Sequence, residues 1–171
     1  MNANWSAICV ATTVVITGVV AASAPASADS DVTRIRALES RYAAALVAKD
    51  LDAAMRAYTA AEDLFVFEAV PPRQVVGAGA YRQHVRDFFV NFQPPFTFEV
   101  RDVVVTVVGD VAYGHNIQHL VGVDTAGSHI DMTFRVTDVY RKVKGDWFIV
   151  EEHASFPVDP QTGKADLSSA P

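Results

Sequence analysis

Val32, Ile35, Leu38, Tyr42, Ala45 and Leu46 recur at helical spacing, while Arg34, Glu39 and Arg41 fall elsewhere. That pattern predicts an amphipathic helix over residues 31–49, with Asp29, Ser30 or Asp31 able to cap its start. A shorter helix follows at once, with Asp50 as N-cap and Leu51, Ala54, Met55 and Tyr58 as its apolar stripe. Two helices joined so tightly form a helical hairpin or a kinked pair. Residues 64–69 are aromatic and β-branched and read as a strand that Pro71 and Pro72 end. Residues 73–76 read as a short return strand before Gly77. Helical spacing resumes over residues 79–92, in Tyr81, Val85, Phe88, Phe89 and Phe92, and stops at Pro94 and Pro95.

From Phe96 onward the period changes to two. Residues 96–108, 111–123, 129–143 and 146–156 are four long candidate strands, separated by Gly109-Asp110, Thr125-Ala126-Gly127 and Lys144-Gly145. The expectation is an α+β domain: a cone-shaped, curved antiparallel sheet wrapped by N-terminal helices around a pocket. The hollow is expected between the first helix and the concave face, and it is the reason to look for a ligand. The outward face, with Val103, Val105 and Val107, would be left exposed in a monomer, so a homodimer is expected.

Composition narrows the function classes. The net charge is -6 over 171 residues and no basic cluster occurs, which excludes a nucleic-acid surface built on phosphate contacts. No charged side chain precedes Asp29, residues 8–22 are apolar, and Ala26-Ser27-Ala28 has the small-x-small pattern of a processing site. Residues 1–28 therefore read as a signal peptide, 29–156 as the folded domain and 157–171 as a polar C-terminal tail. An uncleaved membrane anchor is the alternative for the first segment. Cleavage implies a secreted or periplasmic protein with no membrane partner afterwards. Cys9 is the single cysteine and falls inside that segment, so the mature domain has no thiol chemistry.

Four residues are candidates to carry chemistry. Tyr42 lies on the apolar stripe of the first helix. Glu68 ends the first strand beside Phe65 and Phe67, where burial would raise its pKa. Arg135 sits mid-strand, where a charge needs a partner. His153 alternates with Trp147, Ile149, Glu151 and Ser155, so strict period two puts all of these on one face. Phe65, Phe67, Tyr81, Phe88, Phe96 and Trp147 supply an aromatic lining, with Ser155 beside His153. His115 and His119 share a strand face, but no third ligand at diagnostic spacing accompanies them, so no metal is expected. Nucleotide and flavin motifs are absent, and no cofactor is implied.

With these residues the chain resembles the SnoaL-like, ketosteroid-isomerase-like group of the nuclear transport factor 2 superfamily. Arg41-Tyr42 through Asp50-Leu51-Asp52-Ala53 to Tyr58 is similar to the N-terminal helix pair of that group. Pro71-Pro72 and Gly77-Ala78-Gly79-Ala80-Tyr81 fit its middle. Residues 134–142 and 145–155 are similar to its C-terminal hairpin. The isomerases of the group use a helix-1 tyrosine, a carboxylate base and a protonated second acid. The resemblance places Tyr42 on the tyrosine and Glu68 near the base. It places Arg135 where the second acid should stand, which argues against strict steroid isomerisation, because arginine stays charged. The resemblance also implies a sheet-to-sheet dimer.

Two readings follow. In the first, the domain is a cofactor-free isomerase, hydratase or hydrolase that moves a proton on a small apolar carbonyl compound, with Glu68 or His153 as base and Tyr42 and Arg135 steadying an oxyanion. In the second, the same cavity binds an apolar molecule with an anionic or carbonyl end and breaks no bond.

Overall fold

A computed structural model describes residues 28–168. The signal-peptide expectation lies almost wholly outside the described residues. Three helices precede a meander of long strands: α1 (Ala28–Val47), α2 (Leu51–Met55), β1 (Phe65–Phe67), β2 (Gln74–Val76), α3 (Ala78–Asn91), β3 (Phe92–Val108), β4 (Val111–Asp124), β5 (His129–Val143) and β6 (Asp146–Ser155). They build one curved, open sheet in the order β2-β1-β6-β5-β4-β3. The class is α+β, as the pattern predicts. One pairing is parallel, β1 against β6, because the chain crosses from the helices into the sheet beside its last strand.

α1 forms because its apolar stripe has a surface to cover. Ile35, Leu38, Tyr42, Ala45 and Leu46 are buried against the concave face. The hairpin to α2 turns at Lys49, in the left-handed region, and Asp50 Oδ1 accepts from the Ala53 N–H at 2.8 Å as the predicted cap. Lys49 then reaches across to donate from Nζ to the carbonyls of Phe89 and Phe92, tying the end of α3 to the helix hairpin. At the other end of α1, Asp31 is buried and accepts from Lys142 Nζ (2.9 Å) and Trp147 Nε1 (3.0 Å). Trp147 is thus a structural anchor that ties β6 to the start of α1, away from the α3-side cavity.

Two one-residue bulges decide which side chains face inward. In β3 the pairing with β4 slips between Arg101 and Val104, with Asp102 at φ 54° as the extra residue. Before the bulge Phe96 and Phe98 face the core; after it Val105 and Val107 do. Val105 and Val107, expected on the exposed face, therefore pack inward, and Val104 and Val108 stand outside. In β6 the pairing with β5 slips so that Val139 meets Glu151 but Tyr140 meets Ile149, which leaves Val150 as the extra residue. Trp147 and Ile149 are inward, and beyond Val150 the inward positions become Glu152 and Ala154. β5 carries no slip against β4, so Val136, Asp138 and Tyr140 are buried and Arg135 is exposed.

The tail folds back. Pro157 accepts from the Asp166 N–H at 2.8 Å, and Leu167 accepts from the Thr133 N–H of β5 at 2.7 Å, beyond the end of β6.

Candidate functional site

A cavity of about 180 Å³ opens on the concave face. Its walls are α3 (Tyr81, His84, Val85, Phe88), the β1–β2 turn (Glu68, Ala69, Val70) and the inner faces of the long strands. α1 contributes Leu46. This hollow thus lies chiefly against α3, where α1 was expected; the α1 residues Leu38, Tyr42 and Ala45 instead border a separate, more polar groove shared with α2 and the start of β6.

Glu68 reaches this cavity, since strand alternation puts it with inward-facing Val66. Its Oε1 lies 3.0 Å from Nε2 of His84, one α3 turn from Tyr81, and the His84 ring stacks on that of Tyr81. The hydrogen bond that His84 donates to Glu68 raises the His84 pKa above its ordinary value, against the burial that opposes charge. Opposite stands Glu152, buried at the cavity wall. Tyr58 donates to its Oε2 at 2.6 Å, Tyr81 donates to Tyr58 at 3.1 Å, and the Tyr42 and Tyr81 hydroxyls are 3.5 Å apart. Burial pushes Glu152 up to about 8; the charges of Glu68 and Glu39 act the same way and the Tyr58 bond opposes them. Burial likewise raises the three tyrosines, so they stay neutral donors.

Behind Glu152 lies a second group of acids. Tyr140 donates to Glu39 Oε1 (2.9 Å) and Asp138 Oδ2 (3.2 Å), and Asn116 Nδ2 donates to the same Oδ2 (2.9 Å). Burial pushes Glu39 up to about 7 and Asp138 well above the carboxylate range, helped for Asp138 by the charges of Glu39 and Glu152. Asp138 Oδ1 and Asn116 Oδ1 are buried without a partner among the described residues. A proton on Asp138 turns its Oδ1 from an unpaired acceptor into a donor.

The sequence-predicted site divides in two. Tyr42, Glu68, Tyr81 and Phe88 converge on the cavity or on the tyrosine cluster beside it. Arg135 and His153 do not; both are exposed on the convex face, and His153 packs on Phe67 at 5.1 Å between ring centroids. Phe65 and Phe67 also face outward, because Val66 takes the inward position between them. Ser155 lies off the cavity, and its neighbour Phe156 lines it instead. Phe96 is buried behind the wall, 5.7 Å from the rings of Phe88 and Phe92. His84, Glu152 and Gln118 line the cavity without having been singled out. His84 was legible, lying three residues after Tyr81 and four before Phe88 on one helical face. Among the described residues no group of three or more His, Cys, Asp or Glu is arranged to hold a metal ion.

The SnoaL-like domain model matches residues 35–159, which spans the entire sheet, α2, α3 and all of α1 but its first two turns. The chain belongs to the SnoaL-like family. Solved structures agree on the fold. A nuclear transport factor 2-like protein of unknown function from Pseudomonas putida is 27% identical, with 84% of this chain and 98% of that one covered and a TM-score of 0.74. A nuclear transport factor 2-like superfamily protein from Salmonella enterica is 17% identical, with 82% and 100% covered and a TM-score of 0.72. A putative dehydratase of the same superfamily from Streptomyces avermitilis is 18% identical, with 75% and 97% covered and a TM-score of 0.66. No curated protein matches the chain. For this SnoaL-like domain, then, the cavity residues and not a relative's assignment carry the functional argument.

Proposed function

We propose that this SnoaL-like domain is a cofactor-free enzyme that moves a proton on a small apolar carbonyl compound. One observation carries the reading: an ion-paired carboxylate, Glu68, and a buried acid that stays protonated near neutrality, Glu152, face the same aromatic-lined cavity. Acids whose surroundings separate their protonation states divide the roles of base and donor between them. Glu68, held by His84, takes the proton from carbon. Glu152, backed by the Tyr58–Tyr81 chain, donates to the carbonyl oxygen as negative charge develops there. The tyrosine chain takes the place that Arg135 held in the expectation. The putative dehydratase among the structural neighbours has a reaction of the same broad kind in its name. The proposal keeps two expectations from the sequence: export to a secreted or periplasmic site by the 1–28 segment, and a homodimer through the convex face, where Val104, Val108 and Tyr113 are exposed.

The test is deuterium uptake at the α-carbon of small cyclic ketones in D2O, followed by proton NMR. Wild-type protein should accelerate exchange, and Glu68→Gln should lose about 100-fold or more, the scale of one positioned base. Ketones that bind saturably without any accelerated exchange would make the domain a binding protein and end the catalytic reading.

A further inference from the structure

Gln118 sits on β4 with its side chain at the cavity wall, and 3% of the residue is exposed. Its amide makes no hydrogen bond to any described residue. Its nitrogen and oxygen are not sealed away, so the amide meets the hollow itself. A buried primary amide with two donors and an acceptor left open costs stability unless something else pairs with it. Nothing in the fold needs a glutamine there, because Leu120 and Ala112 show that this inward face of β4 accepts apolar side chains.

Its place on the sheet separates it from the acids. Gln118 pairs in register with Phe134, whereas Glu152 pairs with Asp138, four residues further along the same strand β5. That offset is about 13 Å along the strand, with two strand spacings of about 5 Å each across it. Phe98, Phe134 and Phe156 contribute apolar wall to the same cavity. The cavity volume of about 180 Å³ sets the size of what fits. A dry apolar cavity of about 150 Å³ takes up benzene, so this one has room for a single six-membered ring with small substituents.

We propose that Gln118 is a specificity-determining residue that reads a polar group at the end of the ligand away from Glu152, and that the ligand is a monocyclic compound carrying hydrogen-bonding groups at both ends. This rests on the cavity being the ligand site, as in the proposed function, but does not require that any bond be broken.

The probes are 4-cyanophenol, polar at both ends, and 4-methylbenzonitrile, in which a methyl group replaces the hydroxyl. Affinities are measured by calorimetry on the full chain. Wild-type protein should bind 4-cyanophenol about tenfold tighter, the factor that one ordinary hydrogen bond carries. Gln118→Leu should erase that preference and should melt at the wild-type temperature or above, since it removes an unpaired buried amide. 6-Cyano-2-naphthol should bind at least tenfold more weakly than 4-cyanophenol. Failure of both benzonitriles to bind wild-type protein, a preference that survives in Gln118→Leu, a lowered melting temperature for that variant, or tight binding of the naphthol would each overturn the proposal. All readouts are of binding and stability, so missing ketone exchange leaves this inference standing, and its failure leaves the exchange test intact.

Discussion

Tyr58 donates its hydroxyl to Glu152 across 2.6 Å, joining the chain just past α2 to β6 beside the cavity. The bond does not neutralise the strain of burying an acid. Glu152, Glu39 and Asp138 form a group of three buried carboxyls whose only described hydrogen-bond donors are Tyr58, Tyr140 and Asn116, all uncharged.

That grouping predicts an acid-shifted stability profile. Burial pushes Glu152 and Glu39 up to about 8 and about 7 in the fold, from an ordinary value of 4.5. With raised folded values their contribution is complete below pH 4.5 and is lost as pH climbs to 7 and 8, where the native state must release protons it holds more tightly than the unfolded chain. On the acid side, the hydrogen bond from Lys142 lowers Asp31, so its contribution is present above its ordinary value of 3.8 and lost as pH falls below it. Melting temperature should therefore peak between about pH 4 and 5 and decline steadily toward pH 8. Glu152→Gln should flatten the alkaline limb. A profile that is flat or rising from pH 5 to 8 would show that these acids are ionised in the fold.

The Glu68–His84 pair makes a site-specific prediction. In wild-type protein the His84 imidazole should titrate above 6.5 by two-dimensional NMR, since the Glu68 hydrogen bond raises it more than burial lowers it. In Glu68→Gln the charge is gone and burial remains, so the His84 midpoint should fall. An unchanged midpoint would mean that the two side chains do not meet in solution.

Glycines on the inner face of β4 give a packing prediction. A Cβ on Gly122 would lie 2.8 Å from Phe96 Cβ and 3.2 Å from the Phe92 ring, and one on Gly114 would lie 2.8 Å from the Val104 carbonyl oxygen. Gly122→Ala and Gly114→Ala should each destabilise by about 1–3 kcal/mol, the usual range for overpacking a core. Urea denaturation measures both; wild-type midpoints would show that β3 can move away from β4 freely.

Helices and strands were legible because each buries one face: the α1 stripe, the Tyr81–Val85–Phe88 stripe of α3 and the four long strands follow from spacing alone. The polar half of the site was not. Counting by twos from Trp147 arrives at His153, but Val150 adds one residue to β6 and hands the inward position to Glu152. Nothing local in Ile149-Val150-Glu151 marks that bulge, since no glycine or left-handed residue is required there. Arg135 misled for a different reason. Its neighbours Val136 and Tyr140 already fixed the opposite parity, and the resemblance to the isomerases drew the residue toward a pocket that the alternation denies it. Gln118 lay in plain view within Ala112, Gly114, Asn116, Gln118 and Leu120, an inward series whose polar members needed a reason.

Asp102 has an effect beyond orienting side chains. β3 is 17 residues long and borders the sheet, so its outer backbone groups offer a template to any extended chain that meets them. The kink at Asp102 interrupts that template midway, Pro94 and Pro95 remove amide donors near its start, and the ion-paired Glu99 and Arg101 place charge between. Self-association by strand addition is thereby discouraged along the one border long enough to support it, and the molecule keeps its open cone without sealing it into a barrel.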